Sequence, residues 1–288
     1  MKKERSYIVI IAVTLMCSFY LLFFVYPLVV SILGSFFDWN PLSGSQSFIG
    51  LDNYSRMISD PLFSESLYNT FYFAICVVIG RVGLGLLIAL ALYSIKRYQE
   101  VLRTMYFLPV IMPMVSVALV WEWMYDPRIG LINMFLAAFG VVGPNWLTDA
   151  GLAMNSVIIM TVWKDLGYAV IILMAGLLNV DNSQIEAAQI DGAKYWQVVR
   201  KILIPSIKPT LIFVLITSVI SYFQAFTQIF IMTEGGPGSS THVLAYLIYN
   251  SAFKNFEFGY ASALATTLFV IIMIITFIQF KIIGGRDE

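Results

Sequence analysis

The sequence predicts an all-α polytopic membrane protein with six transmembrane helices and a cytoplasmic loop between the fourth and fifth. Composition is the first reason. Of the 288 residues, 59% are hydrophobic and only 12% are charged, against roughly 25% charged in an average soluble domain. The second reason is a series of apolar runs close to the ~20 residues that cross a hydrocarbon core about 30 Å thick. The third is the way Lys and Arg alternate between successive loops.

The first apolar segment covers about residues 7–34 and follows Met1-Lys2-Lys3-Glu4-Arg5. Its run from Tyr7 to Val25 is longer than the core of a signal peptide and no small-x-small cleavage site follows, so it is read as a retained helix. The second segment is about 70–93. The third, about 105–125, contains Pro109 and Pro113, which are expected to bend it. The fourth, fifth and sixth cover about 152–178, 209–232 and 261–283. Between segments lie turn signals such as Asn40-Pro41, Asp60-Pro61, Asp126-Pro127, Gly143-Pro144-Asn145 and Gly235-Gly236-Pro237-Gly238. Leu131–Phe139 and Val243–Phe253 are apolar but too short to span, and are expected to form interfacial or re-entrant helices. No internal repeat or linker interrupts the chain, so a single domain is expected over residues 1–288.

Charge placement sets the expected orientation. Lys2, Lys3, Arg5, Lys96, Arg97, Arg103, Lys194, Arg200, Lys201, Lys208, Lys281 and Arg286 fall on one side. Only Arg56, Arg128 and Lys254 fall on the other. The positive-inside rule then places both termini in the cytoplasm.

Several chemistries are disfavoured. His242 is the only histidine, too few for a usual zinc site and the only imidazole available to a serine nucleophile. No phosphate-cradling G-x-x-x-x-G-K-[ST] occurs, so any ATP must be bound by another polypeptide. No catalytic residue, metal site or cofactor is therefore assigned to this chain. Cys17 and Cys76 lie in apolar runs, which argues against a disulfide framework. Equal numbers of basic and acidic residues, 17 each, argue against nucleic acid as a partner.

The loop at 181–205 carries the clearest pattern. Asp181-Asn182-Ser183-Gln184-Ile185-Glu186-Ala187-Ala188-Gln189-Ile190-Asp191-Gly192 reads as a short helix with a stop, followed by a second helix reaching Ile202-Leu203-Ile204-Pro205. Ser183 and Glu186 have capping-box spacing, Gly192 permits a left-handed stop, and Pro205 marks the stop before the fifth segment. A capped helical loop with no further role would share these features.

Glu186, Ala187, Ala188 and Gly192, with Ile202-Leu203-Ile204-Pro205, resemble the EAA loop of binding-protein-dependent ABC importer permeases. Phe48-Ile49-Gly50-Leu51-Asp52-Asn53-Tyr54, Asp60-Pro61-Leu62-Phe63 and Asn69-Thr70 resemble the sugar-type members. Thr233-x-Gly235-Gly236-Pro237-x-x-x-Thr241 resembles the first permease of a maltose-type pair. The resemblance implies a permease subunit importing sugars or oligosaccharides across the bilayer. Its implied partners are a second homologous permease, two cytoplasmic ATPase subunits holding ATP and Mg, and an extracytoplasmic solute-binding protein. It also implies that Glu186, Ala187, Ala188, Asp191, Gly192 and Pro205 belong to a coupling loop that docks on the ATPase.

Polar side chains inside apolar segments are expected to face a cavity or a partner. Thr161, Lys164, Asp165 and Tyr168 share one helix face by spacing, as do Ser218, Tyr222 and Phe226. Ser221, Gln224 and Gln228 form an adjoining stripe. Hydroxyls beside aromatic rings suit a sugar, although small hydroxyls also serve ordinary helix packing. Lys164 is a candidate for pairing with a carboxylate of the second permease. Arg81, between Gly80 and Gly83-x-Gly85, is expected to point inward to a carboxylate or carbonyl, with Glu122 a candidate partner by depth. Other readings compatible with the pattern are a permease for glycerol phosphate or a polyol, a self-sufficient secondary transporter or channel, and a membrane-embedded enzyme.

Overall fold

The computed structural model describes residues 2–95 and 99–281, with side chains from residue 10 onward except Ser45. Lys96, Arg97, Arg286 and the last two residues of the sixth expected segment lie outside the described residues.

Helix α1 (Lys2–Tyr20) runs through one wide turn, Leu21–Val25, into α2 (Tyr26–Gly34). A hairpin follows: β1 (Phe37–Asn40) pairs antiparallel with β2 (Ser45–Phe48), Phe37 opposite Phe48. This strand pair was not expected in an all-α chain. Its turn is built on Asn40, whose Oδ1 accepts the Leu42 amide at 2.9 Å, the Asx geometry that such a residue favours. The chain then forms α3 (Asp52–Ser59), α4 (Pro61–Ser94), α5 (Gln99–Ile111), α6 (Met114–Met124), α7 (Leu131–Ala138) and α8 (Ala153–Leu178). It continues as α9 (Asn182–Ile190), α10 (Tyr195–Val198), a wide turn at Val199–Leu203, α11 (Ile204–Ser206), α12 (Lys208–Phe223) and α13 (Thr227–Met232). Helix α14 (Leu244–Tyr249) with the wide turn Asn250–Lys254, and α15 (Phe258–Gln279), complete it.

Among the described residues, four stretches are long and apolar enough to cross a membrane, namely 10–34, 61–94, 153–178 and 258–279. Two bent pairs, one at 96° across Ile111 to Met114 and one at 66° across Ser206 to Lys208, bring the count to six when each pair is one crossing. The 96° break falls where Pro113 supplies no amide and Met112, as the residue before a proline, is disfavoured in helix. Segment boundaries moved elsewhere. Helix α4 begins at Pro61, nine residues before the expected start at Thr70, because Asp60 Oδ1 accepts the Leu62 amide at 2.9 Å and Pro61 suits a first helical position.

Two compact units are distinguished: residues to Phe63 with Leu247–Val270, and Ser64–Tyr246 with the chain from Ile271. In the first, Asn53 Nδ2 donates to the carbonyls of Ser35 (2.9 Å) and Phe37 (3.0 Å), fixing α3 beneath the hairpin. Arg56 pairs with Glu257 at 2.8 Å and lies over the Tyr260 ring, whose hydroxyl donates to Asp60 Oδ2 at 2.7 Å.

In the second unit, α8 is the central helix. Gly80 and Gly85 let α4 approach it: a Cβ at either would sit 2.9 Å from Val162 Cγ2 or 2.8 Å from Ala169 Cβ. Gly83 meets nothing within 4 Å and has no such role. Gly167 is packed under the Tyr106 carbonyl of α5. Gly167→Ala is therefore expected to cost about 1–3 kcal/mol through overpacking, read as a lower unfolding temperature in detergent. Wild-type stability of that variant would show that α5 yields freely. One buried cluster joins Ala89 and Leu92 of α4, Leu173 and Leu177 of α8, Leu203 and Ile207 of the loop, and Val214 of α12.

Candidate functional site

The first candidate region is the loop between α8 and α12. Asp181 starts α9 by accepting the Ser183 amide at 2.9 Å. This replaces the expected Ser183–Glu186 capping box: a carboxylate two residues earlier takes the free amide, and the helix begins at Asn182. The stop is as expected. Gly192 lies at φ +79°, its amide donates to Gln189 O at 3.0 Å, and the Ala193 amide reaches back to Ala188 O at 2.9 Å, a Schellman closure. Lys194 N–H then donates to Gln197 Oε1 at 2.7 Å and opens α10. Pro205 lies within α11, and the chain turns at Ile207 instead. Pro209, in the first turn of α12, is compatible with that start.

Packing divides this loop into two faces. Ile185, Ala188 and Ala193 lie against the buried cluster. Glu186, Ala187, Asp191 and Gly192 are exposed, together with two large apolar side chains that the sequence analysis passed over, Ile190 at 86% and Trp196 at 68%. Tyr195 ties the loop to the end of α4, its hydroxyl 3.0 Å from Ser94 Oγ.

The Asp181 carboxyl is held below its ordinary range by the Ser183 backbone amide first and the Ser183 hydroxyl second. Because the folded value is depressed, the cap's contribution is fully present above the unfolded value of about 3.9 and is lost as pH falls through the lower folded value. Amide exchange across α9 is expected to quicken in Asp181→Ala at neutral pH and to change little in Asp181→Asn, which keeps an acceptor. Equal exchange in Asp181→Ala and wild type would remove the cap from this account.

The second candidate region is a polar network joining α4, α8 and α12. Asp165 is its hub. Its Oδ1 takes Lys164 Nζ at 3.0 Å and its Oδ2 takes the Tyr222 hydroxyl at 3.0 Å. Arg81 Nε donates to the Asp165 backbone carbonyl and a terminal Arg81 nitrogen to Ser218 Oγ, both at 3.1 Å. The guanidinium carbon also lies 4.7 Å from the Tyr168 ring centre and 5.5 Å from that of Tyr222. Lys164 is paired within its own chain, and Arg81 points inward as expected, where it meets a carbonyl, a hydroxyl and two rings, with Glu122 not among its partners.

Thr161 is fully buried and bonds its own helix at Val157 O, so it contributes packing here. Ser221 bonds Thr217 O and is exposed, as is Gln224. Phe226 leaves the stripe it was placed on because α12 ends at Phe223; it stacks on Phe230 at 5.2 Å instead. A third grouping joins two motifs far apart in sequence. Asn69 Nδ2 donates to Ser239 O and His242 O, Thr70 Oγ1 accepts the Leu244 amide, and Ser66 Oγ lies 3.0 Å from His242 Nδ1. Asn69 and Thr70 thus hold the loop that follows Gly235-Gly236-Pro237.

Long apolar helices, two bent helix pairs and a polar network inside the apolar segments mark a multi-pass membrane protein. The chain belongs to the family of binding-protein-dependent transport system inner membrane components, which matches residues 81–286. A probable ABC transporter permease of Pyrococcus horikoshii is 39% identical over 256 residues, 88% of this chain and 87% of that protein. The lactose transport system permease LacF of Rhizobium radiobacter is 34% identical over 264 residues, 90% of this chain and 88% of LacF. Among solved structures, a chain of a bacterial ABC transporter involved in the import of the acidic polysaccharide alginate has the same fold. Its TM-score is 0.89, at 21% identity, over 99% of this chain and 98% of that one.

Proposed function

We propose that this chain is the membrane-spanning subunit of an ATP-driven importer for sugars or oligosaccharides delivered by an extracytoplasmic binding protein. The observation that carries the substrate class is the match with a lactose permease over nine-tenths of the chain. The exposed hydroxyl and amide of Ser221 and Gln224 support it, since such groups at membrane depth belong beside a wet path and not in lipid.

The chain works as one permease domain beside a second homologous permease, with both termini in the cytoplasm of a bacterial or archaeal plasma membrane. Two ATPase subunits carry ATP and Mg, and this chain performs no catalysis. Its part is mechanical. The exposed face of α9 and α10, with Glu186, Ala187, Ile190 and Trp196, seats on an ATPase subunit. Closure of the ATPase dimer pushes that face, and α8 and α12, which flank it, carry the movement to the path beside Asp165, Tyr168, Ser221 and Tyr222.

The test is uptake by vesicles holding the complex purified through a tag on this chain, with ATP inside and the binding protein outside. ATP-dependent uptake of a labelled mono- or oligosaccharide is expected. Uptake of sn-glycerol 3-phosphate with none of any sugar, or gradient-driven uptake by this chain alone, would overturn the reading.

A further inference from the structure

The network around Asp165 does not balance its charge. It holds two cations, Arg81 and Lys164, and one carboxylate. Lys164 and Tyr222 occupy the two oxygens of that carboxylate. Arg81 is only 6% exposed and touches Asp165 through the backbone carbonyl. Its remaining contacts are the Ser218 hydroxyl and the faces of Tyr168 and Tyr222. Among the described residues, no carboxylate pairs with it. A carbonyl, a hydroxyl and two ring quadrupoles therefore stand in for water around a permanent positive charge.

The charge also sits deep. At 1.5 Å per residue, Arg81 lies about 20 Å along α4 from Ser94, and Asp165 about 20 Å along α8 from Leu178. Both are near the middle of a 30 Å core. Mere helix packing would be served at lower cost by an apolar side chain, since burying a net charge there is expensive. The network is also not sealed off: the Asp165 side chain is 21% exposed, and Ser221 on the same helix as Tyr222 is exposed.

We propose that Arg81 is an electrostatic barrier that excludes cations from the transport path while leaving a neutral sugar unaffected. A fixed positive charge in a low-permittivity passage repels sodium, potassium and hydronium ions alike, as pore arginines do in other channels. A neutral solute meets no such field. An importer holding this charge can open and close around a hydrated sugar without draining the cation gradients of the membrane. At an effective permittivity of ~20 and a separation of about 8 Å, one unit charge suppresses cation entry on the order of tenfold or more.

This rests on the transport reading above, and the two can fail separately. Vesicles carrying the intact importer are first assayed for ATP-dependent sugar uptake; absence of uptake in wild type counts against the transport reading alone. Potassium, chloride and glycerol leaks are then measured without ATP or sugar. Arg81→Gln is expected to raise the potassium leak about tenfold without raising the chloride or glycerol leak, and Arg81→Lys to stay near wild type. Ser218→Asp provides a second route, because it sets a carboxylate beside the guanidinium that Ser218 already contacts and cancels the excess while Arg81 stays in place. It should leak potassium as Arg81→Gln does. If all three leaks rise together, if Arg81→Lys leaks as much as Arg81→Gln, or if no variant leaks, Arg81 is a structural pin and the proposal is wrong.

Discussion

Replacing Asp165 by alanine is expected to destabilise the second unit by roughly 3 kcal/mol or more. The size follows from what the change leaves behind. Lys164 Nζ, on a side chain 8% exposed, loses its carboxylate, and the Tyr222 hydroxyl loses its acceptor. A buried cation without a partner costs far more than the pair contributes when intact. Arg81 should be little disturbed, because it holds the Asp165 backbone carbonyl, which any side chain preserves. Removing both charges tests the same point from the other direction: Lys164→Met with Asp165→Leu is expected to recover most of the loss, since an apolar pair of similar volume is often neutral. The measurement is thermal unfolding of the purified chain in detergent for Asp165→Ala and for the double variant. An Asp165→Ala chain that unfolds within about 0.5 kcal/mol of wild type would show that water already reaches Lys164.

Much of this could be read in advance, and the parts that could not share a cause. Hydropathy reaches the four long apolar helices and the two bent pairs because it is a local sum. Gly192 was legible for a similar reason: a helix stop at positive φ has one good residue, and its hydrogen bonds stay within five positions. Caps and pairings were harder. Ser183 and Glu186 carry the right spacing for a box, yet Asp181 takes the Ser183 amide first by standing at the N-cap, two residues ahead of it. Lys164 pairs with its immediate neighbour in sequence, a geometry that helix-face spacing does not propose. The contact of Asn69 with Ser239 and His242 spans most of the chain, so nothing in either motif alone announces the other. Ile190 and Trp196 went unnoticed because apolar residues in a mostly apolar chain carry no signal until burial separates those that pack from those that do not.

That exposed pair leads to the larger functional expectation. If the proposed docking holds, Ile190→Ala with Trp196→Ala is expected to weaken association with an ATPase subunit at least 30-fold, about 2 kcal/mol, since buried aromatic anchors commonly dominate such interfaces. The chain's own unfolding should hardly change, because Trp196 and Ile190 are mostly exposed in it. Affinity of the purified ATPase subunit for detergent-solubilised chain reads the first effect, and thermal unfolding the second. Gly192→Val separates contact from geometry. It leaves both anchors in place but forces a β-branched residue into φ +79°, costing roughly 1–2 kcal/mol or more. Relief of that strain unwinds the stop and re-aims α10 relative to α9. ATPase binding should then fall less than in the double alanine variant, while the sugar moved per ATP hydrolysed falls more. Wild-type affinity in the double alanine variant would move the docking face elsewhere on the chain. Wild-type transport per ATP in Gly192→Val would show that the loop tolerates a change of angle, and that contact alone carries the movement from the ATPase into α8 and α12.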